Sequence, residues 1–247
     1  MHQYLKAIGF ENIQTRKDLK KLLKEVEENF THQTIVSYRP GEDFCEFQKE
    51  FGQDVGITLC GELDDEEHFE AAYYFPYFEG SGVTTYAEID VQTSVTFSGL
   101  AQGGMILLPV NKNEQQILNE KRASDTRREL MNAARKGDQA AIETLTFDDM
   151  DLYSKVSKRL ANEDVFSIVD TYFMPFGAEC DMYSIMGEIL AVRERINRMT
   201  GVRLYQMRLN VNELTFDVCV PADSVMGEPE IGRRFKGTIW LQGYINF

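Results

Sequence analysis

Apolar residues recur at helical spacing close to the start of the chain. Between residues 17 and 28 they follow an i, i+3, i+4, i+7 order, with charged residues at the positions between: Leu19, Leu22, Leu23 and Val26. This spacing places the apolar side chains along one stripe and predicts an amphipathic helix with one buried side. β-rich runs follow at residues 34–38 and 55–60, bounded by Pro40-Gly41 and by further glycines, and we expect them to be paired strands.

The clearest strand pattern covers residues 83–97, where odd positions are mostly apolar and even positions mostly polar. A period of two is typical of a strand with one face on the core and one in water. An aromatic segment at residues 71–78 precedes it across the glycine-containing residues 79–82, a connection typical of a hairpin with a loop longer than two residues. We therefore expect these segments to form an antiparallel sheet.

The middle of the chain favours helix instead. From residue 113 to residue 160 helix-forming residues dominate, with breaks at Gly137-Asp138 and at residues 146–148. Glycine can end one helix, and Asp or Thr can cap the next, so two or three helices are predicted here.

A β-rich pattern returns in the last third of the chain. Five apolar and β-branched runs lie near residues 165–173, 185–192, 202–211, 214–220 and 238–247. Five short strands suit a small barrel, and a partly open OB-like barrel has that number. The pattern as a whole predicts an α+β fold in three parts: an acidic, antiparallel β-rich domain with an N-terminal helix at 1–110, a helical connecting segment at 111–164, and a small β-barrel at 165–247.

Charge separates these parts. The chain has 247 residues and a formal net charge of −14, and residues 1–110 hold 8 Lys and Arg against 19 Asp and Glu. A surface of this sign repels phosphate backbones and anionic lipids, so nucleic-acid binding is disfavoured except through the nearly neutral C-terminal part. The longest uncharged apolar run, residues 105–110, is far shorter than the roughly 20 residues that span a bilayer. No membrane association is expected.

The N-terminus and the cysteines favour the cytoplasm. The first ten residues lack the basic and apolar segments of a signal peptide. The four cysteines are widely scattered and form no CxxC motif: Cys45, Cys60, Cys180 and Cys219. Such spacing is typical of reduced, mostly buried thiols, and it predicts neither a metal site nor a cofactor.

Catalytic motifs are absent from the sequence. Only three histidines occur, His2, His32 and His68, and no serine or cysteine lies in a nucleophile motif. Glu88 and Asp90 lie two apart on the polar side of the 83–97 strand, so with His68 they could serve a carboxylate-dependent hydrolase. The alternative is the wet face of an antiparallel sheet, which we favour, and no catalytic residue is assigned.

The segment Gly-Arg-Arg-Phe-Lys-Gly at residues 232–237 combines cations with an aromatic ring, and a tryptophan follows: Arg233, Arg234, Phe235, Lys236 and Trp240. On an OB-like barrel the cations could contact phosphate while a ring stacks on a base, which would make the barrel a nucleic-acid-binding module. In the alternative interpretation, the arginines pair with Glu228 and Glu230, and the two rings fill the barrel core.

Residues 71–78 place large rings on both faces of one strand, among them Tyr73, Tyr74 and Tyr77. Exposed tyrosines are common interface anchors, although helices could equally cover this cluster. The preferred hypothesis is a non-enzymatic binding or scaffolding protein whose partner is another protein or a copy of itself.

Three segments, residues 1–10, 163–177 and 227–243, resemble a family of uncharacterised bacterial proteins. The resemblance spans most of the chain and implies a cytoplasmic bacterial protein. It implies no activity, so no functional residue is carried over from it.

Overall fold

The computed structural model describes residues 3–39, 42–63, 69–80, 83–88, 91–110, 114–160, 164–212 and 214–246. The chain divides into two units, one formed by Met1–Leu108 with Thr171–Phe247 and the other by Pro109–Asp170. We call them the sheet unit and the helical unit. The fold is mixed α and β, with a β-rich N-terminal part, few helices and a C-terminal sheet, which confirms the predicted class at this level.

The N-terminal helix of the sheet unit, α1 (Arg16–Glu28), follows a short 3-10 helix. A reciprocal capping box starts it, because the Thr15 hydroxyl accepts from the Asp18 amide at 3.2 Å and the Asp18 carboxylate accepts from the Thr15 amide at 3.1 Å. The predicted apolar stripe is confirmed, since its members are buried in or packed against the core: Leu19, Leu22, Leu23 and Val26.

Four antiparallel strands form the first sheet, in chain order: β1 (His32–Arg39), β2 (Glu42–Gly52), β3 (Val55–Leu63) and β4 (Phe69–Phe78). Alternate side chains of these strands are buried in a core cluster that also holds α1, among them Cys45, Phe47, Ile57, Leu59 and Phe78. The opposite face of this sheet carries the other set of side chains.

The second sheet has eight strands drawn from both ends of the chain: β5 (Val83–Glu88), β6 (Val91–Leu107), β7 (Tyr172–Pro175), β8 (Met182–Ile196), β9 (Arg203–Val211), β10 (Leu214–Pro221), β11 (Val225–Met226) and β12 (Arg234–Asn246). Its order is β10-β9-β8-β12-β6-β11, with β5 paired to β6 and β7 to β8. Strand β10 also pairs with β6, in parallel, through Val218 opposite Gly99. The N-terminal strand β6 therefore lies between C-terminal strands.

A second core cluster belongs to this sheet. Its buried members come from β6, β8, β9, β10 and β12: Ala101, Ile185, Ile189, Met207, Leu209, Val211, Phe216, Val218, Val220, Phe235 and Ile239. Most of these side chains are spaced two apart on their strands, so one face of each strand faces the same apolar interior.

The strand predicted across residues 83–97 is two strands. β5 and β6 pair antiparallel, with Val83 opposite Thr96 and Glu88 opposite Val91. The apolar and polar alternation continues from one strand into the next, so periodicity alone cannot locate the turn. The expected hairpin between residues 71–78 and 83–97 is wrong as well, because β4 pairs with β3 in the other sheet.

The strand predicted near residues 165–173 is also wrong over most of its length. Its first part is a short helix, α4 (Val165–Ile168), capped by Asp164, whose Oδ1 accepts from the Phe166 amide at 2.8 Å. Strand β7 begins only at Tyr172. The N-cap outweighs the β-branched composition of so short a run.

The helical unit contains α2 (Glu114–Arg135), α3 (Gln139–Leu160) and α4. The predicted break at Gly137-Asp138 is confirmed: Gly137 has φ 88°, and Asp138 Oδ1 accepts from the Ala140 and Ala141 amides at 3.0 and 3.2 Å. The predicted break at residues 146–148 is wrong, because the Thr146 hydroxyl donates to the Ile142 carbonyl within a continuous helix. Within the described part of the chain, no helix is both long and apolar enough to cross a membrane.

Candidate functional site

Strand β4 presents its aromatic side chains to two different environments. Tyr74 packs against the first core and Phe78 is buried there, at 2% exposure. Tyr73 and Phe75, on the other face, are 47% and 41% exposed. The structure therefore places Tyr73 and Phe75 in solvent and turns Tyr74, which the sequence grouped with them, inward.

Tyr73 and Phe75 belong to a longer series of rings that we call the aromatic row: Phe44, Tyr73, Phe75, Trp240 and Tyr4. Successive ring centroids lie 5.9, 5.4, 6.5 and 5.2 Å apart. Separations of this size are favourable for offset and edge-to-face aromatic pairs. The row thus runs without interruption from the half-buried Phe44 on β2, through the exposed rings on β4, to the buried Trp240 on β12 and to Tyr4.

The buried end of the aromatic row is held by hydrogen bonds. Trp240 is 7% exposed, and its Nε1 donates to Asp181 Oδ2 at 2.6 Å. The Tyr4 hydroxyl donates to the Met182 sulfur. Burial raises the pKa of Tyr4, and the nearby carboxylates Glu179 and Asp181 raise it further. This end of the row is therefore anchored by hydrogen bonds, and carboxylates lie close to it.

The exposed end of the row also has a carboxylate nearby. Cys60 lies opposite Tyr73 in the β3–β4 register and opposite Glu46 in the β2–β3 register, and its thiol is 3.9 Å from Glu46 Oε1. Burial, aided by Glu46, raises the pKa of Cys60 to about 11, so this thiol is protonated at neutral pH. Such a thiol is a poor nucleophile, and it contributes to the packing of the sheet instead.

Tyr77 shares the face of Tyr73 and Phe75 but has a different role. Its ring covers Gly56 so closely that a Cβ there would lie 2.3 Å from the Tyr77 hydroxyl oxygen. Burial raises the pKa of Tyr77, with further contributions from Glu79 and Glu50. Tyr77 therefore packs closely across the β3–β4 pair. The carboxylates of Glu79 and Glu50 lie near it.

The cations of residues 232–237 lie in the β12 strand and the turn before it, where other groups engage them. Arg234 is 4% exposed and donates to the Leu108 carbonyl from Nε at 3.0 Å and from Nη2 at 2.8 Å. Arg233 pairs with Glu230 at 2.9 Å and donates to the Glu228 carbonyl. Lys236 is half-buried on the same strand.

Phe235 is 0% exposed and belongs to the second core cluster. A ring in this position cannot stack on a base, so that interpretation of Phe235 does not fit the structure. Trp240 packs with Phe75 and Tyr4 instead. The sequence grouped Phe235 and Trp240, but the structure brings only Trp240 to the aromatic row.

Of the three hydrolase candidates, the structure describes the backbone of one. Asp90 and His68 lie outside the described residues, and Glu88 ends β5. Among the described residues, no three His, Cys, Asp or Glu side chains converge in a way that could hold a metal ion.

The same chain matches a family model described as a domain of unknown function from an E. rectale gene description, DUF3881, over residues 5–95 and 89–243. The chain belongs to this family. The match confirms the resemblance to uncharacterised bacterial proteins, and it extends over the sheet unit and the helical unit alike. Neither the curated proteins nor the solved structures that we searched gave a match.

Sequence reasoning missed three members of the site. Phe44 and Tyr4 join the aromatic row from distant positions in the chain, and Asp181 anchors Trp240 from the segment before β8. No periodic pattern marks these residues, because the contacts depend on how two sheets meet within one unit. The aromatic residues of β4 could be predicted as part of a binding surface from the sequence, whereas the contributions of Phe44, Tyr4 and Asp181 could not.

Proposed function

We propose that this family member is a non-enzymatic binding protein that engages a protein partner through the aromatic row. The observation that carries the proposal is a pair of exposed rings, Tyr73 and Phe75, that contact each other, with Phe75 stacked on the buried Trp240. Rigid aromatic side chains at a half-exposed position offer large contact area at little entropic cost, and they dominate the binding energy of many interfaces.

The chemistry of the row favours a cationic partner segment. Carboxylates lie near its two ends, at Glu46 and at Asp181 with Glu179. Lys49, the cation of strand β2, forms an ion pair with Glu25 at 3.2 Å and donates to the Asn29 carbonyl at 2.6 Å. Arg and Lys side chains combine attraction to aromatic faces with attraction to carboxylates, so a partner segment rich in arginine fits this surface.

The proposal is tested by titrating the full chain with a short arginine-rich peptide. Trp240 is the one tryptophan of the sequence, so its fluorescence reports on the buried end of the row. Binding should change this fluorescence. Replacing both Tyr73 and Phe75 by Ala should weaken the affinity for the peptide about tenfold. A glutamate-rich peptide of the same length should not bind.

Phe30→Ala is the matched control. Phe30 is 41% exposed, like Phe75, but it packs on Phe47 at the opposite face of the same sheet. Equal weakening by Phe30→Ala would mean that the net negative charge alone attracts the peptide, and the aromatic row would lose its role. Binding of a single-stranded oligonucleotide in place of the peptide would favour the nucleic-acid alternative.

A small barrel is part of the same proposal. Strands β6, β12, β8, β9 and β10 are each paired to the next, and the β10–β6 pairing joins the last to the first. Five strands around an apolar interior support an OB-like barrel. Such barrels often bind oligonucleotides, but the cationic Arg234 and the ring of Phe235 are buried in this one, so we propose the aromatic row as the binding surface.

We also propose that the protein acts in the cytoplasm. The free thiols of Cys45, Cys60 and Cys219 are all buried, and Cys219 donates to the Ala7 carbonyl. Unpaired thiols of this kind are typical of proteins kept in a reducing compartment.

A further inference from the structure

Nearly all of the side chains that the structure describes in the helical unit are exposed or half-buried. Among its side chains that the structure describes, only Ala141 is buried, at 4% exposure. Large apolar side chains remain in solvent, including Phe147 at 70% and Met150 at 66%. Most of the stability of protein helices comes from packing of an apolar face, so exposed apolar side chains such as Phe147 and Met150 on a 22-residue helix offer a further packing surface.

The exposed side chains of α3 include one ordered stripe. Its members are spaced by four, three, four and four residues, and each is exposed: Glu143, Phe147, Met150, Ser154 and Lys158. At 3.6 residues per turn they span an arc of about 80° along the helix. Ala141 and the half-buried Leu145 lie on the other side of α3, so this α3 stripe is separate from the packing inside the hairpin.

The α3 stripe is complementary to itself when read in the opposite direction. It begins with an acidic residue and ends with a basic one, and a large ring near the start matches a small hydroxyl near the end. The pairs Glu143 with Lys158 and Phe147 with Ser154 share one midpoint, between residues 150 and 151. A two-fold axis at that point would satisfy both pairs at once and bring Met150 close to its own counterpart.

We infer that the α3 stripe is a dimerisation surface and that its occupant is α3 of a second copy of this chain, running antiparallel. Two-fold homodimers use the same patch on both subunits, which requires the self-complementarity that this stripe has. A heterologous partner would not require Glu143 and Lys158 to be equidistant from one apolar centre. The inference does not depend on the aromatic row, which lies in the sheet unit.

Charge reversals test the antiparallel pairing in the full chain. Sedimentation analysis of the unaltered protein should show a concentration-dependent dimer. Glu143→Lys and Lys158→Glu should each weaken dimerisation about tenfold, because each replaces two attractive contacts per dimer by repulsive ones. An equimolar mixture of these two variants should regain the affinity of the unaltered protein, since every contact between unlike copies is then attractive.

Asp148→Lys is the control, because Asp148 is exposed on α3 but lies outside the stripe. It should leave dimerisation within twofold. Circular dichroism of each variant shows that helix content is kept. A monomer at every concentration, equal weakening by Asp148→Lys, or a mixture that associates no better than its components would each overturn the inference.

Discussion

The sheet unit and the helical unit are both regular in secondary structure, yet the side chains that the structure describes in them differ in burial. Side chains such as Ile185, Phe216 and Phe235 are removed almost completely from water in the sheet unit, whereas Ala141 is the one buried side chain described in the helical unit. A helix satisfies its backbone hydrogen bonds locally, but a sheet satisfies them only by bringing distant segments together. Regular hydrogen bonding therefore says little about how much packing supports a unit.

The largest effect on stability is expected at Phe235. Its ring is fully buried against Gly104 and Gly237, where a Cβ would lie 2.4 and 2.7 Å from the ring. Phe235→Ala should lower the free energy of unfolding by about 4 kcal/mol, because it removes the burial and leaves a cavity. Urea denaturation followed by Trp240 fluorescence measures this loss.

Phe176→Ala is the companion variant, since Phe176 is 50% exposed in the same unit. Its cost should stay below about 1 kcal/mol. Equal costs for Phe176→Ala and Phe235→Ala would show that the sheet unit does not depend on this core.

The next largest loss of stability is expected from breaking the buried polar contacts of the sheet unit. Asp217 is 1% exposed and accepts from Arg208 Nε at 2.9 Å, from Arg208 Nη2 at 3.1 Å and from Gln206 Nε2 at 3.0 Å. This hydrogen bonding also raises the pKa of Arg208. Asp217→Ala removes the acceptor of three hydrogen bonds, one of them from the buried Gln206, so it should cost about 3 kcal/mol in the same denaturation experiment.

The surface pair between Asp223 and Arg203 provides the contrast. Their charged atoms lie 3.8 Å apart, and the Asp223 side chain is 89% exposed. Asp223→Ala should change stability by less than about 0.5 kcal/mol. A cost near that of Asp217→Ala would contradict the view that burial makes the Asp217 contacts important.

The smallest effect is expected in the helical unit. Ala123 is an exposed residue within α2. Ala123→Gly should reduce helix content, because glycine costs about 1 kcal/mol relative to alanine in a helix and the exposed Ala123 side chain leaves no core cavity to add to this effect. The circular dichroism signal at low denaturant should fall while the Trp240 transition of the sheet unit stays in place.

Ala123→Gln keeps a good helix former at the same position and should leave both signals unchanged. If Ala123→Gly moved the Trp240 transition as far as Asp217→Ala does, the two units would unfold together. The contrast between them would then be one of burial only and not of stability.

Predictions from the sequence succeeded where a local signal decides the structure. The stripe of α1 and the Gly137-Asp138 break depend on residues within a few positions of each other. They failed where two local preferences compete. Threonine often caps helices, but the Thr146 hydroxyl donates to a carbonyl within α3. Residues 165–168 are partly β-branched and aromatic, but they follow an N-cap at Asp164 and form a helix.

The candidate site shows the same division. Alternation along β4 implied that its rings point to opposite faces, and Tyr73 and Phe75 are exposed as a binding surface requires. The local density of cations suggested a binding loop at residues 232–237. It misled because neighbouring groups in space, the Leu108 carbonyl and Glu230, engage Arg234 and Arg233.

The mixed α and β class, the first helix, the helix break at residue 137 and the concentration of negative charge in the first part of the chain could all be predicted from the sequence. Each of these depends on periodicity, on a cap or on composition, which are properties of neighbouring residues. The pairing of β6 with the C-terminal strands and the course of the aromatic row from Phe44 to Tyr4 became known from the tertiary structure alone. Strand partners and ring contacts join residues far apart in the sequence, and no local preference specifies which distant segments meet.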